Sequence, residues 1–477
     1  MQDLVLLDAT AQAELVRRRE VTPLELVDAA IARIERNDPK LNAVVTRTFE
    51  RARAAASSPL PDGPFRGVPF LLKDLAGGAE DGVRLTLGSA LLRDYVPDYD
   101  TELVKRFRRA GLVSVGHSNT PEFGIPPTTE PSLFGICKNP WNLERSAGGS
   151  SGGAGAAVAA RLVPLAHASD AGGSIRIPAS CCGVFGLKPT RGRNPMGPKL
   201  GESTAGLIAE HCLSLSVRDS AALLDATSGN APGDPYAAPP KARPYVEELD
   251  GKPRKLRIGV MRVPLNGAPV HAECLAALDS AAALCNGLGH EVFEDGIGVS
   301  SVGELLSSFV AVWTVNAAMN LATAERLAGR VAQEADVEPL TRALASMGRS
   351  RSAVEFVEAQ RTLHRLSREV AQCFSRFDVL LTPTLTEPPI VHGALACPPD
   401  DPLRGFVMAG GYAAFTPVFN ITGQPAMSVP LWWSADRLPV GVQFAGRFGD
   451  EATLFGLARQ LEEARPWAAR LPPILAG

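Results

Sequence analysis

Histidine is scarce in this 477-residue chain: the seven present stand singly, with no His-x-x-x-His or His-Glu-x-x-His spacing. That argues against a zinc site, and the sequence calls for neither metal nor cofactor. A Gly-x-Ser-x-Gly elbow is missing as well, since Gly172-Gly173-Ser174-Ile175-Arg176 lacks the second glycine. No excess of either charge is present: 48 Lys and Arg against 51 Asp and Glu give a net charge of −3. Such a balance makes no electrostatic case for nucleic acid or an anionic membrane. The eight cysteines follow no regular spacing, and Cys181-Cys182 are adjacent. They read as free buried thiols in a reducing cytoplasm. Met1-Gln2-Asp3-Leu4 has no basic region ahead of an apolar run, so no signal peptide is expected. One uncharged stretch, Phe406 to Ala435, is long enough to span a bilayer. Pro417, Pro425, Pro430, Asn420 and Gln424 interrupt it, so it is expected as buried irregular core instead.

What is present describes a globular α/β protein, 45% apolar and 21% charged. Thr22 as N-cap, Pro23 at the first helical position and Glu25 form a capping box. The helix it opens runs to about Arg36, with Leu24, Val27, Ala30, Ile31 and Ile34 on one face. A second helix opens at Asp100 and stops at Gly111, ahead of a strand over Leu112-Val115. Strands over Lys255–Val260, Glu291–Phe293 and Asp378–Pro383 alternate with helices over Cys274–Leu288, Val302–Ala332 and Ala353–Phe377. This alternation implies helices layered around a central sheet. Residues 229–254, rich in Pro, Gly and Ala, fit a surface connection within one domain spanning 1–477.

Three residues carry the chemistry. Gly172 and Gly173 precede Ser174, so the backbone can approach a ligand closely there. The N–H groups of Ala171, Gly172, Gly173 and Ser174 could converge on one oxygen as an oxyanion hole. Ser150 lies in Gly148-Gly149-Ser150-Ser151-Gly152-Gly153, ahead of the small-residue helix Ala154–Ala160. Neither a dinucleotide fingerprint nor a Gly-Lys-Ser/Thr phosphate loop follows. Lys73 sits among Phe70, Leu71, Leu72 and Leu75. Burial there would lower its pKa and free a neutral amine to act as a base. Each has a plainer reading: a capping serine, a flexible linker and a solvated surface lysine.

Together these residues resemble the amidase signature family. The likeness runs through Gly67–Asp74, the Gly/Ser run, Asp170–Pro178 and Gly183–Thr190, then Asn420–Ala426 and Pro439–Gln443, with its core at roughly 62–200. The resemblance implies the family fold, a mixed twisted β-sheet covered by helices on both faces. It also implies a Ser174–Ser150–Lys73 triad, with Ser150 as the bridging member after a cis peptide bond. Ser174 would form an acyl-enzyme, and Ser151, Asp170 and Arg176 would support the site by hydrogen bonds.

Within the family, Asp8–Arg17, Asn139–Leu143, Pro178–Gly183 and Lys188–Arg193 look like the 6-aminohexanoate-cyclic-dimer hydrolases. Two departures bear on substrate. Ala171-Gly172-Gly173 stands where those enzymes look like Ala-Ala-Gly, and Trp313 or Thr314 occupies the region of their pocket cysteine. Phe70, Phe123, Ile125, Phe134 and Trp141 are expected to line the motif loops, with Trp313 in the pocket. That favours a small neutral amide, ester or carbamate (urethane) substrate, handled by a monomer or homodimer without nucleic acid or membrane. The alternatives are the A subunit of a tRNA-dependent amidotransferase and a catalytically silent binding protein on the same fold.

Overall fold

The computed structural model describes residues 2–251 and 254–475. Met1, and Lys252 and Pro253 of the 229–254 connection, lie outside the described residues. An eleven-stranded mixed sheet runs through the chain. Its order is Val44–Arg47, Val113–Ser118, Pro69–Lys73, Leu165–Asp170, Ala209–Ser214, Phe185–Lys188, Ala426–Trp433, Pro439–Ala445, Val379–Pro383, Arg257–Val260 and Glu291–Glu294.

Period-two alternation along the strands shows why both faces are covered. Leu71, Ala166 and Leu213 pack into one apolar cluster with Val27, Ile31 and the helices that follow Ser151 and Ile175. Their neighbours Phe70, Leu72, Leu165 and Cys212 point the other way, onto Leu103, Val104 and Phe107. The far half repeats the pattern. Met427 and Val429 face Leu454 and Leu278, whereas Ala426 joins Val370 and Phe377. The α/β sandwich expected from the alternation of elements is the observed fold.

Local signals place several elements well. Thr22 and Glu25 form the reciprocal capping box, although that helix continues past Arg36 to Leu41. The second helix starts at Glu102 rather than Asp100, because the Thr101 side chain accepts from the Val104 N–H. The long helix Val302–Ala328 ends four residues early, at Gly329 in the left-handed region (φ 66°). By length and composition it could cross a bilayer. Here Ala317, Leu321 and Ala324 pack on the unforeseen helix Pro339–Arg349, while Leu305 and Val312 meet Ala359 and Leu363.

The stretch Phe406–Ala435 corrects an expectation. It is regular, with a helix Arg404–Tyr412, a short helix Pro417–Thr422 and the strand Ala426–Trp433. Its prolines fit because Pro417 opens a helix and Pro430 falls where the strand register shifts, between Val429 and Trp432. Nor is all of it buried, since Val407 is 73% exposed.

Candidate active site

Two parallel neighbours of the sheet end side by side, one at Lys73 and the other at Asp170. Ligand sites of α/β sheets form at such carboxyl ends. The chain before the helix Gly152–Ala159 brings Ser150 onto Lys73. Gly149 permits this approach, since a Cβ there would lie 2.5 Å from the Thr128 carbonyl oxygen. The Gly149–Ser150 peptide bond is cis.

Lys73 is fully buried. Its Nζ lies 2.8 Å from Ser150 Oγ and 2.9 Å from Ser169 Oγ. Burial pushes its pKa down to about 7, against the opposing pull of the Glu210 and Asp170 carboxylates. On the far side, the Lys73 backbone N–H donates to His167 Nδ1 at 3.2 Å. That bond leaves His167 Nε2 to carry the proton and donate to Glu210 at 2.9 Å.

Asp170 organises the turn that carries Ser174. It accepts the N–H groups of Gly173 at 2.7 Å and Ile175 at 3.1 Å, and both Nε and Nη2 of Arg176. Burial alone would raise its carboxyl, but the charge and hydrogen bonds of Arg176, with help from Lys188 and Asn420, hold it well below the usual carboxylate range. Arg176 is itself fully buried, yet all five of its N–H donors are used. The remaining three go to the Thr416 carbonyl, Gln443 Oε1 and Asn420 Oδ1. Ser151 ties the two serine segments together, donating its N–H to the Ser174 carbonyl and its hydroxyl to the Ser169 carbonyl.

Ser150 and Ser174 line one cavity of about 60 Å³. No hydrogen bond joins their hydroxyls among the described residues. Ser174 also borders an apolar cleft of about 430 Å³, with Ile125 and Trp313 on the boundary between the two spaces. An amine that burial brings toward its neutral form, poised on a buried hydroxyl beside a second serine, can support acyl transfer.

The Amidase family model matches residues 25–455. The chain belongs to that family. Among its relatives, 6-aminohexanoate-cyclic-dimer hydrolase of Pseudomonas sp. (strain NK87) is 41% identical over 481 residues, covering 98% of this chain and 97% of that protein. The solved 6-aminohexanoate cyclic dimer hydrolase complexed with substrate superposes with a TM-score of 0.95 at 40% identity, covering 99% of each chain. A bacterial aryl acylamidase of the amidase signature enzymes superposes at 0.88 with 27% identity, covering 98% of each. This amidase is therefore a hydrolase of amide carbon–nitrogen bonds. The likeness expected from the motifs holds along the whole chain, and it favours the hydrolase over the amidotransferase subunit.

The structure brings Lys73, Ser150, Ser151, Asp170, Ser174 and Arg176 together. Phe123, Ile125 and Trp313 line the cavity, whereas Thr314 turns into the core. One member of the expected oxyanion set is corrected. The Gly173 N–H is held by Asp170, leaving those of Ala171, Gly172 and Ser174 without a protein partner among the described residues. Three aromatics are also relocated. Phe70 packs on Phe107, Phe134 lies under Arg84, and Trp141 donates to the Cys182 carbonyl. Sequence reasoning missed Ser169, the His167–Glu210 pair and the Arg176 partners. Asn420 and Gln443 did lie in stretches resembling the family, and that was their only signal.

The two glycines before Ser174 are not equivalent. Gly173 has φ 136°, and a Cβ there would lie 2.4 Å from Thr416 Oγ1 and 2.7 Å from Ile177 Cδ1. At Gly172 the nearest atom would be the Trp313 ring, in ordinary contact at 3.7 Å. Gly172→Ala is expected to retain activity within about tenfold, and Gly173→Ala to lose about 100-fold or more. Steady-state kinetics of the two purified variants on one anilide decides this; equal losses would contradict it.

Proposed function

We propose that this amidase cleaves apolar and neutral amides through Ser174, with Ser150 as proton relay and Lys73 as base. The observation that carries the reading is the buried Lys73 amine held between the Ser150 and Ser169 hydroxyls. In the neutral form its lone pair accepts the Ser150 proton, Ser150 takes the proton of Ser174 as Ser174 attacks the substrate carbonyl, and Ser169 holds the amine in place. The oxyanion meets the N–H groups of Ala171, Gly172 and Ser174. The proton returns through Ser150 to the departing amine, and water then hydrolyses the acyl-enzyme.

The cleft of about 430 Å³ supports an apolar body for the substrate, since Phe309, Leu305, Leu340, Phe406 and Ile421 line it. Amides of the 6-aminohexanoate type suit this chemistry: a cyclic dimer has two amides and no charged end. Aryl amides, esters and carbamates present the same carbonyl to Ser174. The eight free cysteines, seven of them buried, fit a reducing cytoplasm. We take the working form to be a monomer or homodimer that needs no other chain.

The test is intact-mass analysis of the purified chain after a fluorophosphonate, alongside a hydrolysis panel in EDTA. A single adduct that disappears in Ser174→Ala, with cleavage of small aryl amides and 6-aminohexanoate-type amides, is expected. Activity on glutamine alone, and only with a second subunit added, would defeat the reading.

A further inference from the structure

The cavity next to Ser174 has an end that the reaction itself does not use. Its lining includes a polar set: Asn316 and Asn320, one turn apart on the helix Val302–Ala328, together with Ser203 and Thr204. Among the described residues, no charged side chain lines it. Hydrogen-bonding capacity is left open there. Asn316 donates one amide N–H to the Val312 carbonyl, which leaves its oxygen free. Asn320 makes no side-chain hydrogen bond among the described residues. Amide groups left open along a cavity wall favour a polar guest over an apolar one.

Backbone conformation points to the same spot. Thr204 and Ala205 hold φ values of 53° and 52°, and Phe123 on the adjacent wall holds 51°. Non-glycine residues rarely occupy this region, and those that do cluster at ligand sites.

We propose that this chamber is a subsite for a neutral hydrogen-bonding group on the acyl side of the substrate, such as a second amide, while the leaving group lies in the apolar cleft. The proposal rests on the amidase reading above and names what selects the acyl chain. Asn316 and Asn320 are its specificity-determining contacts. A carboxylate of the same shape is rejected, because nothing in the chamber balances its charge. An isosteric hydrocarbon leaves the chamber's donors unpaired.

Three para-nitroanilides of matched shape test this: succinamoyl (neutral amide), isocaproyl (apolar) and succinyl (carboxylate). The wild-type enzyme is expected to prefer the succinamoyl anilide by about tenfold or more in kcat/KM over either rival. Asn320→Leu and Asn316→Leu should each cut that preference about tenfold, through KM, while leaving isocaproyl cleavage unchanged or improved. A merely structural role would lower all three rates together. Asn320→Asp keeps the shape, and should lose the succinamoyl preference and reject the succinyl anilide further. Equal wild-type cleavage of the succinamoyl and isocaproyl anilides would overturn the chamber's role alone. No cleavage of any anilide would overturn the hydrolase reading and this role with it.

Discussion

Lys73→Ala is expected to lower kcat/KM for an amide by about 1,000-fold or more, the scale on which other catalytic units fail. Lys73→Arg should fail as badly, since a guanidinium does not deprotonate in a protein. Lys73→Met, unbranched and uncharged, serves as the folding control. The pH profile gives an independent reading. The amine is active only when neutral, and burial has brought its pKa down to about 7. The rate constant kcat/KM should therefore fall as pH drops through about 7, and level off above it. A Lys73→Arg enzyme with near-normal activity at neutral pH would end the role assigned to Lys73. So would a wild-type profile that stays flat from pH 5 to pH 9.

The site divides into parts the sequence could and could not reveal, and the division follows the range of the contacts. The capping box at Thr22 and Glu25 depends on residues three apart, so the pattern is visible locally. The buried helix after Ser151 shows in its run of glycine and alanine. The clamp on Arg176 is different. Asn420 and Gln443 reach it from 244 and 267 residues away, and neither carries a periodic signature. Ser169 was hidden for a related reason: its partner Lys73 lies 96 residues away on another strand. The helix Pro339–Arg349 lay between two long periodic helices, and the charged, polar sequence ahead of it masked its start.

The prolines of 406–435 misled in an instructive way. Read singly, each breaks a helix or a ladder. In the structure each stands where an element begins or slips register, so they divide the segment without making it irregular. That division matters to the site. It places Thr416 beneath Gly172, whose carbonyl accepts the Thr416 hydroxyl at 2.6 Å, and Asn420 on Asp170 at 2.8 Å. The turn that presents Ser174 is thus fixed from a segment more than two hundred residues later.

Ser150→Ala separates the relay from the rest of the machinery. It removes the hydroxyl 2.8 Å from Lys73 Nζ but leaves Ser174, the Asp170–Arg176 clamp and the N–H groups of the turn in place. Substrate binding should survive, so KM is expected to change little. Acylation by an amide should fall about 1,000-fold, because the departing amine must be protonated and the proton travels through this hydroxyl. An activated ester leaves without that proton and loses only the activation of Ser174, so its rate should fall far less, by about 10–100-fold. Lys73→Ala removes the base at the end of the same relay, so its losses on the two substrates should fall in the same order. The measurement is pre-steady-state acylation of a matched anilide and para-nitrophenyl ester, run on both variants. If Ser150→Ala slows the two substrates by the same factor, Ser150 does not carry the proton to the leaving group.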